Sequence, residues 1–454
     1  MRWLIDWLLG LGLLAASPVW IYRMIRHGRY RTGIRQRFGE APVRYGLQPV
    51  IWVHAVSAGE INAARPVVAE LHSQLPDFQV VVSSTTDTGL AAAQQFFARD
   101  HVVFAWPLDF SAAVRRALDR LRPSLVVLIE GELWPNFLGA CRRREIPVVV
   151  VNGRISPRKG YRRYRYLGRL GRRLLLGPLT AIGVQDETYA KRFIELGADP
   201  DRVYVTGMVK FDVPAAQRVA GQEELAAAMG IDPQGPLLAA GSTGPAEEKI
   251  VLDVYRRLRR RWPALQLAII PRKPERFDEV ARLVEADGFM PVRRSQRPDG
   301  PRAAAPPQAV FLGDTMGELR KFYALAACIF VGRSLVPMGG SDMIEAAALG
   351  KPAAFGPHTY NFPQADDLAR HGCACVADEA ALEAQLEAWL ADPAGAEAAG
   401  KAAQDFILAQ QGATRRNVDM IARVLGRVPA ARPGDVATDA IQEMPQVQHA
   451  RTDA

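Results

Sequence analysis

The chain is poor in cysteine, and the spacing of its cysteines excludes the common uses of that residue. Its 454 residues include four cysteines, and the nearest two, Cys373 and Cys375, are separated by a single residue. That spacing fits neither a Cys-x-x-Cys zinc pair nor a disulfide framework, and it favours a reduced, cytosolic setting. Cysteine-based metal sites and disulfide-dependent folds are therefore not expected.

Several short catalytic motifs are also missing. The sequence contains no Walker A loop, no Gly-x-Gly-x-x-Gly after a strand, no His-Glu-x-x-His and no Gly-x-Ser-x-Gly. These absences argue against P-loop, dinucleotide-binding, zinc-peptidase and α/β-hydrolase chemistry. The one Asp-x-Asp pair, Asp199–Asp201, lies between a predicted helix and strand, where a turn explains it. We expect neither a metal ion nor a cofactor.

Positive charge, in contrast, is abundant and clustered. The formal net charge is +9, and two arginine-rich segments, 23–37 and 154–179, adjoin apolar stretches. We predict that both segments face anionic headgroups. Interleaved Tyr and Arg could also stack nucleic-acid bases, but the leucines that end the second segment suit lipid better, so no nucleic-acid partner is expected.

An apolar segment, Trp3–Tyr22, precedes the first basic cluster. It is close to the ~20 residues that span a bilayer, it lacks a usual cleavage site, and we predict residues 1–25 to be a membrane anchor. Arginines after it should keep the remaining chain in the cytoplasm. A helix lying in the membrane interface is the alternative, because Arg2, Asp6 and Pro18 weaken a span.

After residue 45, short apolar runs alternate with amphipathic ones, which is typical of strand-helix-strand units around parallel sheets. The candidate strands are 50–54, 79–83, 102–105, 125–130, 148–152, 181–185, 203–206, 237–240, 266–270, 309–311, 328–331, 353–355 and 374–376. They predict an N-terminal domain over 26–210 and a C-terminal domain over 211–400, both Rossmann-like, with a cleft between them. A helix over 401–425 should cross back to the first domain, and residues 426–454 should form a disordered tail.

The segment "HAVSAGE", residues 54–60, ends the first predicted strand and opens a helix. Ser57 and Glu60 have the spacing of a capping box, yet Glu60 at the end of a parallel strand could also take a proton from a substrate hydroxyl. The residues alone favour the cap. A base should keep its carboxylate free, so a carboxylate folded back onto the Ser57 amide would count against catalysis.

Polar, glycine-rich loops follow strands in the second half. "GGSDMIE" places Gly340, Ser341 and Asp342 before a helix and Glu345 one turn inside it, where amides can hold a phosphate and a carboxylate can bind ribose hydroxyls. Ordinary capping by Ser341 or Asp342 explains the same pattern.

"GSTGPAEE" repeats this design with Ser242 and Thr243 at a strand end, and Arg272 with Lys273 ends another strand. Together these loops favour an anion site.

Eight motifs in order resemble those of the membrane-associated Kdo (3-deoxy-D-manno-oct-2-ulosonic acid) transferases of lipopolysaccharide biosynthesis: "HAVSAGE", "IEGELWPN", "NGRIS", "GMVKFD", "STGPAEE", "PRKPERF", "GDTMGEL" and "FGPHTYNF". The resemblance extends from the N-terminal segment to about residue 425. It implies an α/β glycosyltransferase of the GT-B fold, metal-independent and inverting. A lipid A precursor would bind the N-terminal domain and CMP-Kdo the C-terminal domain, at the cytoplasmic side of the inner membrane.

The resemblance also implies residue roles. Glu60 matches the general base, and the positions matched on the acceptor side are Glu130, Glu132 and Lys210. On the donor side the matched positions are Ser242, Thr243, Arg272, Met316, Gly340 and Glu345. From the same loops we add Ser57, Gly59, Asn152 and Arg154 near the acceptor, and Lys273, Gly317, Glu318, Ser341 and Asp342 near the donor.

Three positions depart from the resembled pattern. Gly244, Lys273 and Ser341 stand where that family usually has histidine, which leaves the identity of the donor sugar open. Two alternatives therefore remain: a GT-B-shaped nucleotide-sugar epimerase, and a membrane-bound homologue that binds nucleotide without turnover.

Overall fold

The chain forms two units, and the first contains both the N-terminal half and the C-terminal helix. In the computed structural model, the first unit holds the described residues up to Asp212 and from Gln411 onward, and the second runs from Val213 to Gln410. The structure describes residues 2–27, 32–44, 46–156, 160–214, 218–297, 300 and 302–428. The tail predicted over 426–454 lies outside the described residues from 429 onward.

A parallel seven-stranded sheet lies at the centre of the first unit. Its strands are β1 (Val50–Ala55), β2 (Gln79–Ser84), β3 (Val102–Ala105), β4 (Leu125–Ile129), β5 (Val148–Gly153), β6 (Ala181–Val184) and β7 (Val203–Val205). They are arranged in the order β3-β2-β1-β4-β5-β6-β7. Valine-rich strands suit a sheet that helices cover on both faces, and the predicted strands of this half are confirmed to within one residue.

The second unit is built around another parallel seven-stranded sheet, of order β10-β11-β9-β8-β12-β13-β14. Its strands are β8 (Leu237–Thr243), β9 (Gln266–Pro271), β10 (Met290–Arg293), β11 (Ala309–Leu312), β12 (Cys328–Val331), β13 (Ala353–Phe355) and β14 (Ala374–Cys375). The sequence did not predict β10. This strand contains Pro291 and lies at the sheet edge, where a residue without an N–H is tolerated.

Helices connect the strands of each unit. Those of the first unit before its last strand are α1 (Arg2–His27), α2 (Ile34–Arg37), α3 (Ala58–Gln74), α4 (Asp87–Phe97), α5 (Ser111–Leu121), α6 (Pro135–Arg143), α7 (Arg162–Gly171) and α8 (Glu187–Glu195). Those of the second unit are α9 (Gln222–Met229), α10 (Glu247–Leu258), α11 (Phe277–Ala286), α12 (Leu319–Leu325), α13 (Ile344–Ala348), α14 (Ala365–Arg370), α15 (Glu379–Ala391) and α16 (Pro393–Gln410), and α17 (Ala413–Val424) returns to the first.

The stretch predicted as one helix over 401–425 is in fact two helices. Helix α16 ends at Gln410 in the second unit, and α17 begins at Ala413 in the first. Gly412 between them has a φ of 94°, a conformation that glycine adopts without the steric cost of a side chain. The Asp212 carboxylate accepts hydrogen bonds from the amides of Gly412 and Thr414. These bonds fix the start of α17 to the segment that ends the N-terminal part of the first unit.

An aromatic cluster supports the carboxyl end of the first sheet. Trp52 on β1 is fully buried, and its ring centroid lies 5.0–5.4 Å from those of Phe104, Trp106 and Phe137. His54 stacks on Trp106 at 3.7 Å. Burial lowers the pKa of His54 to about 3, against the hydrogen bond to the Ser83 backbone, so the ring is neutral in this cluster.

The N-terminal segment forms helix α1, and the side chain of Asp6 binds it to other elements of the first unit. Asp6 accepts hydrogen bonds from the Ser111 amide at 2.9 Å, from the Ser111 hydroxyl and from Asn136 Nδ2 at 2.9 Å. Because Phe110, the N-cap of α5, makes no side-chain cap, Asp6 supplies that cap from a distant part of the chain.

The predicted transmembrane anchor finds no support here. Among the residues that the structure describes, no helix is long and apolar enough to cross a membrane. Near its start, α1 turns the carboxylate of Asp6 toward the protein. Its large side chains remain exposed at many positions, including Trp7, Leu14 and Ile25.

One arginine of the first basic cluster was wrongly placed on a membrane-facing surface. Arg37 is buried, with 8% of its surface exposed. Its Nη1 donates to the Thr85 carbonyl at 2.8 Å, and its Nη2 lies 3.5 Å from Asp87. The residue therefore joins α2 to the start of α4.

Replacing Asp6 should release α1 locally. Asp6→Ala removes the cap of α5, a loss of about 1 kcal/mol, so amide hydrogen exchange at Ser111 should accelerate roughly fivefold, together with exchange along α1. Asp186→Ala is the matched control, because Asp186 caps α8 through the Tyr189 amide. It should accelerate exchange in α8 alone. Unchanged exchange at Ser111 in Asp6→Ala would contradict the role of Asp6.

Candidate active site

Glu60 lies in the first turn of α3, at the carboxyl end of the central strand β1. Ser57 is the N-cap, and its Oγ accepts from the Glu60 amide at 3.4 Å. In return, Glu60 Oε2 accepts from the Val56 amide at 2.8 Å and Oε1 accepts from the Ser57 hydroxyl at 3.1 Å. The expectation of a free carboxylate is therefore wrong, although the amide it binds is that of Val56 rather than Ser57. A carboxylate has about four acceptor positions, so two remain for a substrate.

The electrostatic environment of Glu60 differs from that of an ordinary cap. Burial, followed by the charges of Glu130 and Glu132, raises its pKa to about 7, against the hydrogen bonds from Val56 and Ser57. Glu60, Glu130 and Glu132 are thus close enough for their charges to interact. A carboxylate with a pKa near neutrality is suited to accept and release protons.

Two predicted residues at neighbouring strand ends have strained backbones. Glu130 follows β4 with a φ of 60°, and Asn152, the penultimate residue of β5, has a φ of 53°. Positive φ is uncommon for residues other than glycine and concentrates at functional sites. Arg154 Nε donates to Glu130 Oε2 at 2.5 Å, which holds the "NGR" loop against the "GE" loop.

The Lys210 segment is fixed to the same edge of the sheet. Asn152 Oδ1 accepts from the Val209 amide at 3.2 Å, and Lys210 follows in a short 3-10 turn, Val209–Phe211. Gly59 lies in the first turn of α3 beside Glu60. The structure therefore brings Glu60, Glu130, Asn152 and the Lys210 turn together within the first unit.

Glu132 lies beside the second basic segment. Burial raises its pKa, and the charge of Arg163 on α7 opposes this increase. On α7 itself Tyr166 is 90% exposed. A carboxylate cluster therefore borders a basic, aromatic surface.

In the second unit, the predicted loops after β8 and β12 are in contact. Ser242 has a φ of 55°, and its carbonyl accepts from the Ser341 hydroxyl at 3.3 Å. Thr243 is buried, and its hydroxyl has no hydrogen-bond partner among the described residues. The Thr243 carbonyl also accepts from the Arg272 amide at 3.1 Å. The "ST", "GGSD" and "PRK" loops thus converge, as predicted for a ligand site at strand ends.

Charges of both signs surround these loops. Burial and the neighbouring Asp342 raise the pKa of Glu345, while Arg320 and Arg272 oppose the increase. Arg272 and Lys273 are exposed, and their side chains make no hydrogen bond or ion pair within the described residues. Two unpaired cations are therefore available to an anionic ligand.

The carboxylate of Glu318, which is predicted to lie near the donor, is bound by neighbouring side chains. Its carboxylate accepts from Arg294 at 2.9 and 3.1 Å, from Thr315 at 2.5 Å and from Lys321 at 3.2 Å. Partial burial would raise its pKa, but these hydrogen bonds outweigh burial and lower it to about 2. Glu318 holds its own loop, and Met316, which is 67% exposed, is the side chain that this loop offers.

Gly244, one of the three departures from the resembled pattern, is accommodated by its neighbours. A Cβ at this position would lie 2.5 Å from Sδ of Met338. Any side chain here would require Met338 to move.

Sequence reasoning missed several residues that hold these loops. Glu247, Glu248 and Arg276 lie within quoted motifs, but the sequence pattern assigned none of them a role. Glu247 and Glu248 are completely buried. The only available signal was a pair of charges directly after a strand, and this pattern cannot distinguish a buried acid from an exposed one.

No group of three or more His, Cys, Asp or Glu side chains that could hold a metal ion lies within the described residues. The Asp199–Asp201 pair forms a turn, as expected, with Asp199 Oδ1 accepting from the Asp201 amide at 3.2 Å.

Similar proteins were found at three levels. Residues 32–213 match the family model described as 3-Deoxy-D-manno-octulosonic-acid transferase (kdotransferase). A 3-deoxy-D-manno-octulosonic acid transferase from Bordetella pertussis is 37% identical over 433 residues, which cover 91% of this chain and 97% of that protein.

Solved structures of lower identity share the fold. A glycosyltransferase from Rickettsia africae gives a TM-score of 0.57 at 13% identity, covering 84% of this chain and 99% of that one. A UDP-N-acetylglucosamine 2-epimerase gives 0.56 at 15% identity, covering 87% and 100%. At such identities the likeness concerns the fold alone.

Two parallel α/β units with polar loops at the carboxyl ends of their strands define a protein with a GT-B-like fold. The glycosyltransferase and the epimerase share this fold with the chain to a similar degree, so sequence similarity decides the family. The chain belongs to the 3-deoxy-D-manno-octulosonic acid (Kdo) transferase family, and it is a glycosyltransferase.

The raised pKa of Glu60 predicts a pH-dependent effect of Glu60→Gln on stability. A carboxyl whose folded pKa exceeds its unfolded value of 4.5 stabilises the fold below the unfolded pKa, and this contribution is lost as pH rises through about 7. Relative to wild type, Glu60→Gln should therefore change stability little at pH 5. At pH 8 it should gain on the order of 1–3 kcal/mol.

Thermal melting of both proteins across this pH range measures the difference. Glu187→Gln is the matched control, since Glu187 is an exposed glutamate in the first turn of α8, and its melting curves provide the baseline for the comparison. A constant difference for Glu60→Gln would show that Glu60 titrates normally.

Proposed function

We propose that this enzyme transfers Kdo, or a closely related ulosonic acid, from a CMP-activated donor to a hydroxyl of a lipid A precursor, with inversion and without a metal ion. The observation that carries the proposal is the position of the Glu60 carboxylate in the first turn of α3, beyond the carboxyl end of β1, where burial and the charges of Glu130 and Glu132 raise its pKa to about 7. The family membership supports the sugar, because the relatives bear its name.

In the proposed step, the acceptor oxygen bonds to the anomeric carbon while the bond from that carbon to the CMP phosphate oxygen breaks. The hydroxyl proton passes to Glu60, which is half ionised near pH 7. A positioned base of matched pKa contributes typically 10²–10⁴-fold to rate. The hydrogen bonds from Val56 and Ser57 fix the carboxylate while leaving acceptor positions for the incoming proton.

CMP departs as an anion, and the second unit offers positive groups to receive it. Arg272 and Lys273 carry exposed, unpaired charges, and Gly339 and Gly340 have φ values of 89° and 84°, which allow backbone amides to face a ligand closely. Fixed cations and amides stabilise developing negative charge. They supply the positive charge that a metal ion provides in other transferases.

We also propose that α1 lies in the cytoplasmic interface of the inner membrane rather than across it. Exposed apolar residues on α1 include Trp7, Leu14 and Ile25, and interfacial helices bind through such side chains together with nearby basic residues. The basic α7 beside Glu132 would then meet the phosphates of an acylated acceptor.

Transfer itself is tested with purified full-length enzyme, CMP-Kdo and a lipid A precursor. We expect release of CMP and a lipid product heavier by one or more Kdo residues, detected by mass spectrometry. The value of kcat/KM should rise about tenfold per pH unit below pH 7 and level off above it, because Glu60 must be ionised.

Glu60→Gln should lose about 10²–10⁴-fold in kcat, while Glu187→Gln retains wild-type turnover. If no CMP-activated ulosonic acid is turned over, the proposed reaction is wrong. CMP binding without turnover would instead favour a binding homologue.

Membrane association is tested by vesicle flotation. The full chain should float with phosphatidylglycerol vesicles, and the double variant Trp7→Ser/Leu14→Ser should lose most of this binding because two large exposed apolar groups are removed. Leu47→Ser is the control, since Leu47 is 96% exposed but lies outside α1. Equal binding of all three proteins would place the membrane contact elsewhere.

A further inference from the structure

Two adjacent glutamates at the start of α10 have no role in the proposed chemistry, yet both are completely buried. Glu247 and Glu248 each have 0% of their surface exposed. Buried carboxylates are costly unless hydrogen bonds or cations compensate them. The two residues are compensated in different ways, and each compensation fixes a different loop.

Glu247 is held by backbone amides. Its Oε2 accepts from the amides of Gly244 at 2.9 Å and Arg333 at 2.5 Å, and its Oε1 accepts from those of Ser334 at 2.8 Å and Leu335 at 3.0 Å. One carboxylate therefore joins the turn after β8 to the loop after β12.

The loop after β12 is shaped to reach this carboxylate. At Gly332 a Cβ would lie 2.6 Å from the Thr243 Cα and 3.0 Å from Glu247 Oε2, so only glycine allows the approach. Arg333 then adopts a φ of 60°. Such strain persists where surrounding contacts determine it, and here the amide-to-Glu247 hydrogen bonds do so.

The same loop leads to the proposed donor residues. The Arg333 carbonyl accepts from the Gly340 amide at 2.7 Å, and the adjacent Ser341 hydroxyl donates to the Ser242 carbonyl at 3.3 Å. Glu247 thus lies behind the "ST" and "GGSD" loops and holds both.

Glu248 is held by a cation. Arg276 donates to its Oε1 from Nη1 at 2.6 Å and to its Oε2 from Nη2 at 3.2 Å, the two-pronged geometry that is strongest for this pair. Arg276 ends the 3-10 turn Pro274–Arg276, directly after Arg272 and Lys273. Glu248 therefore fixes the segment that carries the two unpaired cations.

The sheet order explains why one helix start can reach both loops. Strand β8 lies between β9 and β12, so the helix that follows it begins between the loops that follow its two neighbours. We propose that Glu247 and Glu248 are positioning residues of the donor site, which set the loops after β12 and β9 without touching the nucleotide. This inference rests on the proposed CMP-activated donor.

A double-mutant cycle separates positioning from general stability. CMP binding is measured by calorimetry for wild type, Glu248→Gln, Arg272→Met and the double variant. If Glu248 acts through the Arg272 segment, Glu248→Gln should weaken CMP binding about tenfold in the wild-type background. In the Arg272→Met background the loss should be less than about twofold, because coupled residues are non-additive.

A second carboxylate bound by Arg276 provides the matched control for Glu248→Gln. Glu279 also accepts from Arg276, at 2.9 Å, but its side chain is 59% exposed, so Glu279→Gln should weaken CMP binding less than about twofold. Should Glu248→Gln fail to fold, Arg276→Lys replaces it, since it keeps the charge and loses the two-pronged geometry. It should show a several-fold loss with the same dependence on Arg272.

Steady-state kinetics provide a second test for Glu247. Glu247→Gln places an N–H against backbone amides and should raise the KM for the donor severalfold with the KM for the acceptor nearly unchanged. An equal CMP-binding loss in both Arg272 backgrounds, or no loss at all, would overturn the positioning role while leaving the proposed function intact. Failure of wild type to bind CMP would instead overturn the proposed donor and this inference with it.

Discussion

The structure depends on how carboxylates are accommodated at the start of helices that follow central parallel strands. Glu60 in α3 follows β1, and Glu247 and Glu248 in α10 follow β8. All three lie where a sheet presents its ligand-binding edge, and all three are removed from most or all solvent. Burying a charge there requires hydrogen bonds or cations in return. The different compensation at each position decides what the residue does.

In the first unit compensation is incomplete. Burial and the charges of Glu130 and Glu132 raise the pKa of Glu60 to about 7, because the hydrogen bonds from one amide and one hydroxyl do not offset them. In the second unit compensation is complete: Glu247 receives four amides and Glu248 a two-pronged arginine. An under-compensated acid is suited to exchange protons, whereas a fully compensated one is suited to hold loops. Related local patterns in the sequence thus produce a candidate base, Glu60, in the first unit and two loop-positioning residues, Glu247 and Glu248, in the second.

Backbone strain marks the same edges. Glu130 and Asn152 in the first unit, and Ser242 and Arg333 in the second, all have positive φ. Each such residue costs on the order of 1–3 kcal/mol, and each lies directly at or after the end of a strand. Hydrogen bonds from neighbouring loops hold them in place, such as Asn152 with Val209. Strain of this kind allows side chains and amides to point at a ligand rather than along the chain.

Much of this protein could be predicted from sequence, because strands buried on both faces and amphipathic helices leave strong local patterns. Thirteen of the strands were predicted, and the missed β10 contains a proline that only its edge position permits. The predicted loops also converge, since parallel strands end at one edge of the sheet.

What the sequence could not determine was the environment of individual charges: that Asp6 caps a distant helix, that Arg37 is buried, and that Glu318 is bound by Arg294. The sequence alone determined most of the elements and the family, because both depend on local patterns and ordered motifs. Only the tertiary structure decided that Glu60 has a pKa near neutrality while Glu247 and Glu248 are loop-positioning residues, because burial and hydrogen-bond partners depend on residues distant in the chain.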